Sequence, residues 1–212
     1  MYKIAVLASG SGSNLQVIID RLHHGVPDVE VAVVVSNVPG ALALERAERA
    51  DIPTATFPLH EYPDREARDR AMGAAIEAGG VELVVLAGYM QLLTPRFLER
   101  FPQRVINLHP ALLPSFPGEH GIEDAVRYGA KVTGVTVHFV DAGVDTGPVI
   151  RQETLPVHDD DTAASLAARI HALEHRTLPR VIELFAQGKI TPPEPGSRLV
   201  RVDDTQISDI VW

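Results

Sequence analysis

The sequence predicts an α/β fold on an open, twisted sheet, parallel in its N-terminal half and mixed or antiparallel toward the C-terminus, with helices on both faces. Three observations predict it. Short runs rich in β-branched residues, such as Val31-Ala32-Val33-Val34-Val35, are apolar throughout. Strands buried on both faces read this way. Stretches with helical spacing separate these runs through the first half, as parallel strands require. After residue 130 two long strand-like runs follow one another, which fits an antiparallel extension of the same sheet. The arrangement is Rossmann-like.

The elements follow in order. Strands are expected at residues 2–8, 29–36, 54–57, 83–87 and 105–109. Helices are expected between them at 14–23, 42–50, 65–78 and 94–100. Residues 131–140 and 148–157 read as two strands joined by a Gly/Asp loop. Residues 162–187 read as a long helix, because Leu166, Ile170, Leu173, Thr177 and Leu184 fall on one face at helical spacing. Pro179 lies within it and should kink it. The Pro-rich tail from residue 188 reads as a surface arm with a strand at 199–202. No repeat or linker divides the chain, so one domain over residues 1–212 is expected.

Composition narrows the function. The chain has 212 residues, 45% of them hydrophobic, which is enough for a full core and argues against disorder. No apolar run approaches the ~20 residues needed to cross a bilayer. Tyr2 opens a strand with no basic and apolar leader before it, so no signal peptide is expected. The absence of cysteine fits a cytoplasmic enzyme and excludes a relay through a protein thiol. A net charge of −9 argues against nucleic acid as the main partner.

Four constellations could carry chemistry. Ser9-Gly10-Ser11-Gly12-Ser13-Asn14 lies between the first strand and the first helix. Small residues let backbone approach a ligand, and a helix N-terminus favours an anion. The loop reads as a phosphate cradle or, more plainly, as a tight turn capped by Asn or Ser. Leu15 stands where a dinucleotide fingerprint would place its third Gly, and the Gly-Lys-Ser/Thr ending of a P-loop is absent.

The second constellation is Asn107, His109 and Asp145. Positions 107 and 109 share one face of a strand. At the carboxyl end of a parallel strand that face opens into the ligand crevice of such sheets. Asn can donate to an oxyanion, His can carry a proton and Asp can hold the His charged, a set suited to acyl transfer. A buried His satisfied by a loop Asp is the plainer alternative. His120 and His138 lie near this set in the sequence and are candidates to line the site.

The third is Leu86-Ala87-Gly88-Tyr89-Met90-Gln91-Leu92-Leu93, a strand end whose backbone could line a flat apolar slot or be ordinary core and loop. The fourth is His171-Ala172-Leu173-Glu174-His175, which matches a zinc-protease pattern. A third ligand is lacking in any clear form, and two His on a helix flank arise readily by chance. No metal is expected.

The first three constellations, in this order, resemble the phosphoribosylglycinamide formyltransferase family. The resemblance runs from Val6 to Gln16, through Gly88-Tyr89-Met90, Ile106 to Pro110 and Leu112-Leu113-Pro114, to Asp141–Gly147. It implies formyl transfer from 10-formyltetrahydrofolate, as co-substrate, to the amine of glycinamide ribonucleotide in purine biosynthesis, by direct attack and without a covalent formyl-enzyme. Asn107 would hold the formyl oxygen. His109, kept protonated, would assist at that oxygen or at the leaving folate nitrogen. Asp145 would orient His109 and accept the amine proton. Gly12, Ser13, Asn14 and Arg65 would bind the phosphate, and Glu174 the glycinamide end. Met90, Gln91, Leu92, Leu93, Asn107, Val140, Asp141 and Val144 would line the pterin slot. Many relatives carry Arg where Gln91 stands, so a side-chain role there is not carried over. Residues 1–100 would form the nucleotide and phosphate-binding half, and 101–212 the folate-binding and catalytic half. Expected partners are glycinamide ribonucleotide and folate, with a homodimer left open.

Three rivals remain. A transferase acting on initiator tRNA should carry a basic RNA-binding segment. The tail offers Lys189, Arg198 and Arg201 against Glu194, Asp203, Asp204 and Asp209. A formyltetrahydrofolate hydrolase should carry a regulatory domain, for which no room stands before Tyr2. A non-catalytic nucleotide or folate binder would leave the polar trio unexplained.

Overall fold

The computed structural model describes residues 1–25 and 27–204. The end of the domain expected over 1–212, with Asp209 of the tail, lies outside them. Seven strands form one sheet: β1 (Tyr2–Leu7), β2 (Val29–Ser36), β3 (Thr54–Thr56), β4 (Leu83–Leu86), β5 (Val105–His109), β6 (Val132–Phe139) and β7 (Val149–Pro156). Their order is β3-β2-β1-β4-β5-β6-β7. The first five run parallel, and β6 and β7 are antiparallel additions. The winding direction reverses between β1 and β4, and ligands of such sheets bind at that reversal, beyond the strands' carboxyl ends.

Each strand feeds two cores because its side chains alternate. In β1, Ile4 and Val6 pack on one face, and Ala5 and Leu7 on the other. The first face is covered by α1 (Ser13–Leu22), α2 (Leu42–Arg49) and α6 (Ala163–Ala186). The second is covered by α3 (Arg65–Ala78) and the short α4 (Pro95–Leu98). In β5, Ile106 and Leu108 belong to the first core, and Val105 to the second. Asn107 and His109 therefore point to the α3 side, beyond the end of that core.

Strand expectations agree with the structure to within a residue at most ends. The helix expected at 94–100 is only the single turn α4, since Pro95 starts it and no apolar stripe prolongs it. A helix not expected, α5 (Gly121–Tyr128), follows the loop after β5. Helix α6 begins in a capping box of Thr162 and Ser165 and continues through Pro179, which is buried with its neighbours. The tail strand is shorter than expected, β9 (Arg201–Val202), and pairs with β8 (Ile190–Thr191). Among the described residues no helix is long and apolar enough to cross a membrane.

The β6–β7 pairing depends on Gly134. A Cβ there would lie 1.9 Å from the Glu153 carbonyl oxygen and 2.8 Å from a Leu112 methyl. Backbone cannot yield as a flexible side chain would. Gly134→Ala should lower unfolding stability by about 3 kcal/mol, the upper end for overpacking. Denaturant titration checks this, and an unchanged midpoint would refute it.

Candidate active site

Two clefts adjoin at the reversal point. The larger, about 430 Å³, is lined from the loop after β4, the end of β5, residues 118–119 and the loop between β6 and β7. The smaller, about 340 Å³, is lined from the loop after β1, Ile122 of α5, and His171 and Glu174 of α6. Gly88, Met90, Leu108 and Pro110 line both.

The structure brings Asn107, His109 and Asp145 together in the larger cleft. Asp145 is the hub. Its Oδ2 accepts the Gly118 amide at 2.8 Å and lies 3.3 Å from His109 Nδ1. Its Oδ1 accepts Asn107 Nδ2 at 3.3 Å and lies 3.6 Å from His138 Nε2. On its far side His109 Nε2 meets the Phe116 carbonyl at 2.8 Å. A carbonyl only accepts, so Nε2 carries the proton and Nδ1 faces the carboxylate. His138 stands opposite Asn107 in the antiparallel ladder, with Nδ1 donating to the Phe139 carbonyl at 2.8 Å. Its Nε2 lies 3.2 Å from Asn107 Nδ2, which fixes the amide nitrogen toward Asp145 and His138.

The loop that presents Asp145 is tight. Asp141 Oδ1 accepts the Gly143 amide at 3.0 Å and the Thr146 hydroxyl at 2.6 Å. A Cβ on Gly147 would lie 1.6 Å from the Phe139 carbonyl oxygen. Asp145 itself adopts φ 52°, in the left-handed region.

Burial works against charge on both partners. It lowers the His109 pKa, outweighing the Asp145 carboxylate and the Phe116 carbonyl, which raise it. The net direction is downward. Desolvation removes more than one nearby carboxylate returns. For Asp145, burial acts upward, but the His138 hydrogen bond, the Gly118 amide and His109 together bring the carboxyl below its usual range.

All the residues expected at the pterin slot line the larger cleft: Met90, Gln91, Leu92, Leu93, Asn107, Val140, Asp141 and Val144. Met90 and Leu92 are apolar yet more than half exposed, which leaves a greasy rim. The larger cleft draws residues from both sides of residue 100.

Gly12, Ser13, Asn14 and Glu174 line the smaller cleft. Gly12 precedes α1 at φ 69°, and a Cβ on it would lie 2.8 Å from Ala43 Cα. No side chain caps α1 and its first turn holds no acidic residue. Its first amides are thus free for an anion. Asn14 Nδ2 donates to Glu174 Oε2 at 3.0 Å, while Asn14 Oδ1 is buried without a partner. Burial raises the Glu174 pKa, against the Asn14 amide and His171.

Arg65 is not brought to this loop. Its guanidinium donates to the Leu92 carbonyl at 3.0 Å, on the rim of the larger cleft. A cation that does reach the Ser9–Asn14 loop is Arg46, whose Nε donates to the Ser11 carbonyl at 2.8 Å. Arg46 was not singled out by sequence, nor were the Gly118 amide and the hydroxyl of Ser9. That hydroxyl accepts the Met90 amide at 2.8 Å and joins the two loops. His138, expected to line the site, does line the larger cleft, and strand register places it opposite Asn107. His120 lines neither cleft. Among the described residues no group of three or more His, Cys, Asp or Glu is arranged to hold a metal.

Residues 2–182 match the family described as Formyl transferase. The chain belongs to that family. Relatives bear this out. The phosphoribosylglycinamide formyltransferase of Mycobacterium tuberculosis (strain H37Rv) is 46% identical over 189 residues, 89% of this chain and 87% of that protein. The Bacillus subtilis protein of the same name is 42% identical over 183 residues, 86% of this chain and 94% of that one. The chain also matches the Drosophila melanogaster trifunctional purine biosynthetic protein adenosine-3 at 40% identity, over 92% of its own length but only 15% of that protein. A solved glycinamide ribonucleotide transformylase 1 from Symbiobacterium toebii superposes with a TM-score of 0.90 at 46% identity, covering 96% of this chain and 95% of that chain. The formyl transferase fold is therefore shared over nearly the whole described chain.

Asp145→Asn removes the charge that raises the His109 pKa, so the imidazole should titrate at still lower pH in the variant. NMR titration of the histidines reads this directly. An unmoved His109 titration would break the link between the two.

Proposed function

We propose that the chain transfers a formyl group from 10-formyltetrahydrofolate to the amine of glycinamide ribonucleotide. The observation that supports this most is the meeting of two unlike clefts at the polar trio: a phosphate-type loop on one side and a flat apolar slot on the other. The ribonucleotide phosphate would sit on the free amides of Gly12, Ser13 and Asn14, with its amine end near Glu174. The pterin would lie along Met90–Leu93 and Val140–Val144, so that its formyl group reaches Asn107 and His109. The Mycobacterium tuberculosis and Bacillus subtilis relatives are named phosphoribosylglycinamide formyltransferases, and the reading places the enzyme in the cytoplasm.

Attack of the amine on the formyl carbon makes a cationic nitrogen and an oxyanion. Asn107 Nδ2 is placed to donate to the oxyanion in place of its 3.3 Å contact with Asp145. Negative charge on that oxygen raises the proton affinity of the imidazole beside it, so His109 becomes cationic as the oxyanion forms. Collapse breaks the bond from formyl carbon to folate nitrogen, and that nitrogen takes the proton that His109 drew from solvent as the oxyanion formed. Asp145 accepts the proton that the amine loses, directly or through water.

Tetrahydrofolate should be released from 10-formyltetrahydrofolate only when glycinamide ribonucleotide is present. Release without it would make the chain a hydrolase, and no release would make it a binder. In the transferase, Asp145→Asn should lower kcat by roughly 10²–10⁴-fold, the range for a positioned acid–base group, with far smaller changes in either KM. Near-normal kcat would sink the mechanism.

Arg65→Ala should leave the ribonucleotide KM unchanged and raise the folate KM, because this guanidinium holds the slot rim and not the phosphate loop. Steady-state kinetics with each substrate varied in turn separates the two. A selective rise in the ribonucleotide KM would return Arg65 to the phosphate site.

A further inference from the structure

Helix α3 carries an anomaly on its buried face. Arg68, Met72 and Ile76 succeed one another at four-residue spacing, which marks the stripe that faces the core. Arg68 and its neighbour Asp69 are both fully buried. Arg68 Nε and Nη2 grip Asp69 Oδ1 at 2.9 and 2.6 Å. Tyr89 lies close by, its hydroxyl 3.8 Å from Met72 Sδ, and burial pushes its phenol up to about 12.

Stability is a poor reason for this pair. Desolvating two charges commonly cancels their attraction, and apolar residues of like volume often serve the fold as well. What the pair does offer is hydrogen bonds directed outward. Arg68 Nη1 donates to Gln91 Oε1 at 3.3 Å. Asp69 Oδ2 accepts the Thr94 amide at 2.6 Å. Both reach the loop that forms one wall of the larger cleft. The other end of this loop is fastened to the phosphate loop, where Ser9 N donates to the Gly88 carbonyl at 2.9 Å and the Ser9 hydroxyl accepts the Met90 amide at 2.8 Å. The slot wall is thus held at one end by the neighbouring ligand loop and at the other by a buried ion pair.

We propose that Arg68 and Asp69 are positioning residues for the folate slot: acting through Gln91 and the Thr94 amide, they set where the wall stands without touching the ligand. This rests on the folate reading of the larger cleft. The side chain of Gln91 thereby gains a role, facing inward to Arg68 while its Nε2 donates to the Met90 carbonyl at 2.9 Å. Lysine at position 68 keeps a charge for Asp69 but has no fork with which to serve Asp69 and Gln91 together.

The test compares wild type, Arg68→Lys, Gln91→Ala, their combination, and the apolar double variant Arg68→Met/Asp69→Leu. Each is read for melting temperature, both KM values, and calorimetric affinity for tetrahydrofolate. Arg68→Lys should weaken folate affinity by about tenfold, as one charge-assisted contact is lost, with the ribonucleotide KM unchanged. Adding Gln91→Ala to it should weaken folate binding little further, since the two act through one contact. The apolar double variant should fold with a near-normal melting temperature yet bind folate weakly, a split that a purely structural pair would not give. Normal folate affinity in folded Arg68→Lys, or in the folded apolar variant, overturns the proposal, as do fully additive losses in the combination. Wild type that fails to bind tetrahydrofolate overturns the folate reading itself, and that outcome is seen before any variant is made.

Discussion

The carboxylate of Asp145 is the point on which the site hangs. It gathers an amide from the loop after β5, the Asn107 side chain and two imidazoles. Those groups come from two neighbouring antiparallel strands and one loop, while the carboxylate itself stands on another loop. Each partner favours the ionised carboxylate, and together they overcome the burial that opposes it. Polar networks of this kind rigidify a site when every member is satisfied. Here the network also fixes the orientation of the Asn107 amide and, through the Phe116 carbonyl, the tautomer of His109.

Around that hub the sheet works as a partition. Side chains alternate along β5, so Leu108 belongs to the α1/α6 side and lines the wall shared by the two clefts, while Asn107 and His109 open to the α3 side. Reversal of winding between β1 and β4 leaves the loops after those strands side by side with no helix between them. Ser9 and Met90 can then bond directly. Two ligands of unlike chemistry can be held on opposite faces of one strand end and still meet across it.

Much of this was legible in the sequence, for identifiable reasons. Strands buried on both faces read as unbroken apolar runs, and they emerged almost to the residue. The trio was legible because alternation alone puts positions 107 and 109 on one face. Arg65 is given to the phosphate by the family resemblance. Its target is a carbonyl across the fold, which no local pattern encodes. His138 was legible from its nearness to the trio, and the β5–β6 register sets it opposite Asn107. Helix α5 was missed because it is short and opens with glycine. A sequence records the carboxylate beside His109 but not the depth of its burial, which pulls its pKa down.

Asp145 is not alone in its backbone conformation. Phe116, whose carbonyl takes the other side of the His109 ring, sits at φ 54°. Both groups that grip the imidazole are thus held in a region that side-chain-bearing residues avoid at a cost of about 1–2 kcal/mol. Aspartate tolerates it better than most, whereas an aromatic residue has no such excuse. Glycine at position 116 would relax the chain there, and the folded state would gain what the strain now withholds. The same freedom would let the carbonyl wander from Nε2. Sequence drift toward greater stability thus runs directly against a fixed imidazole at this turn, and a search for heat-resistant variants of this chain would meet that conflict at position 116.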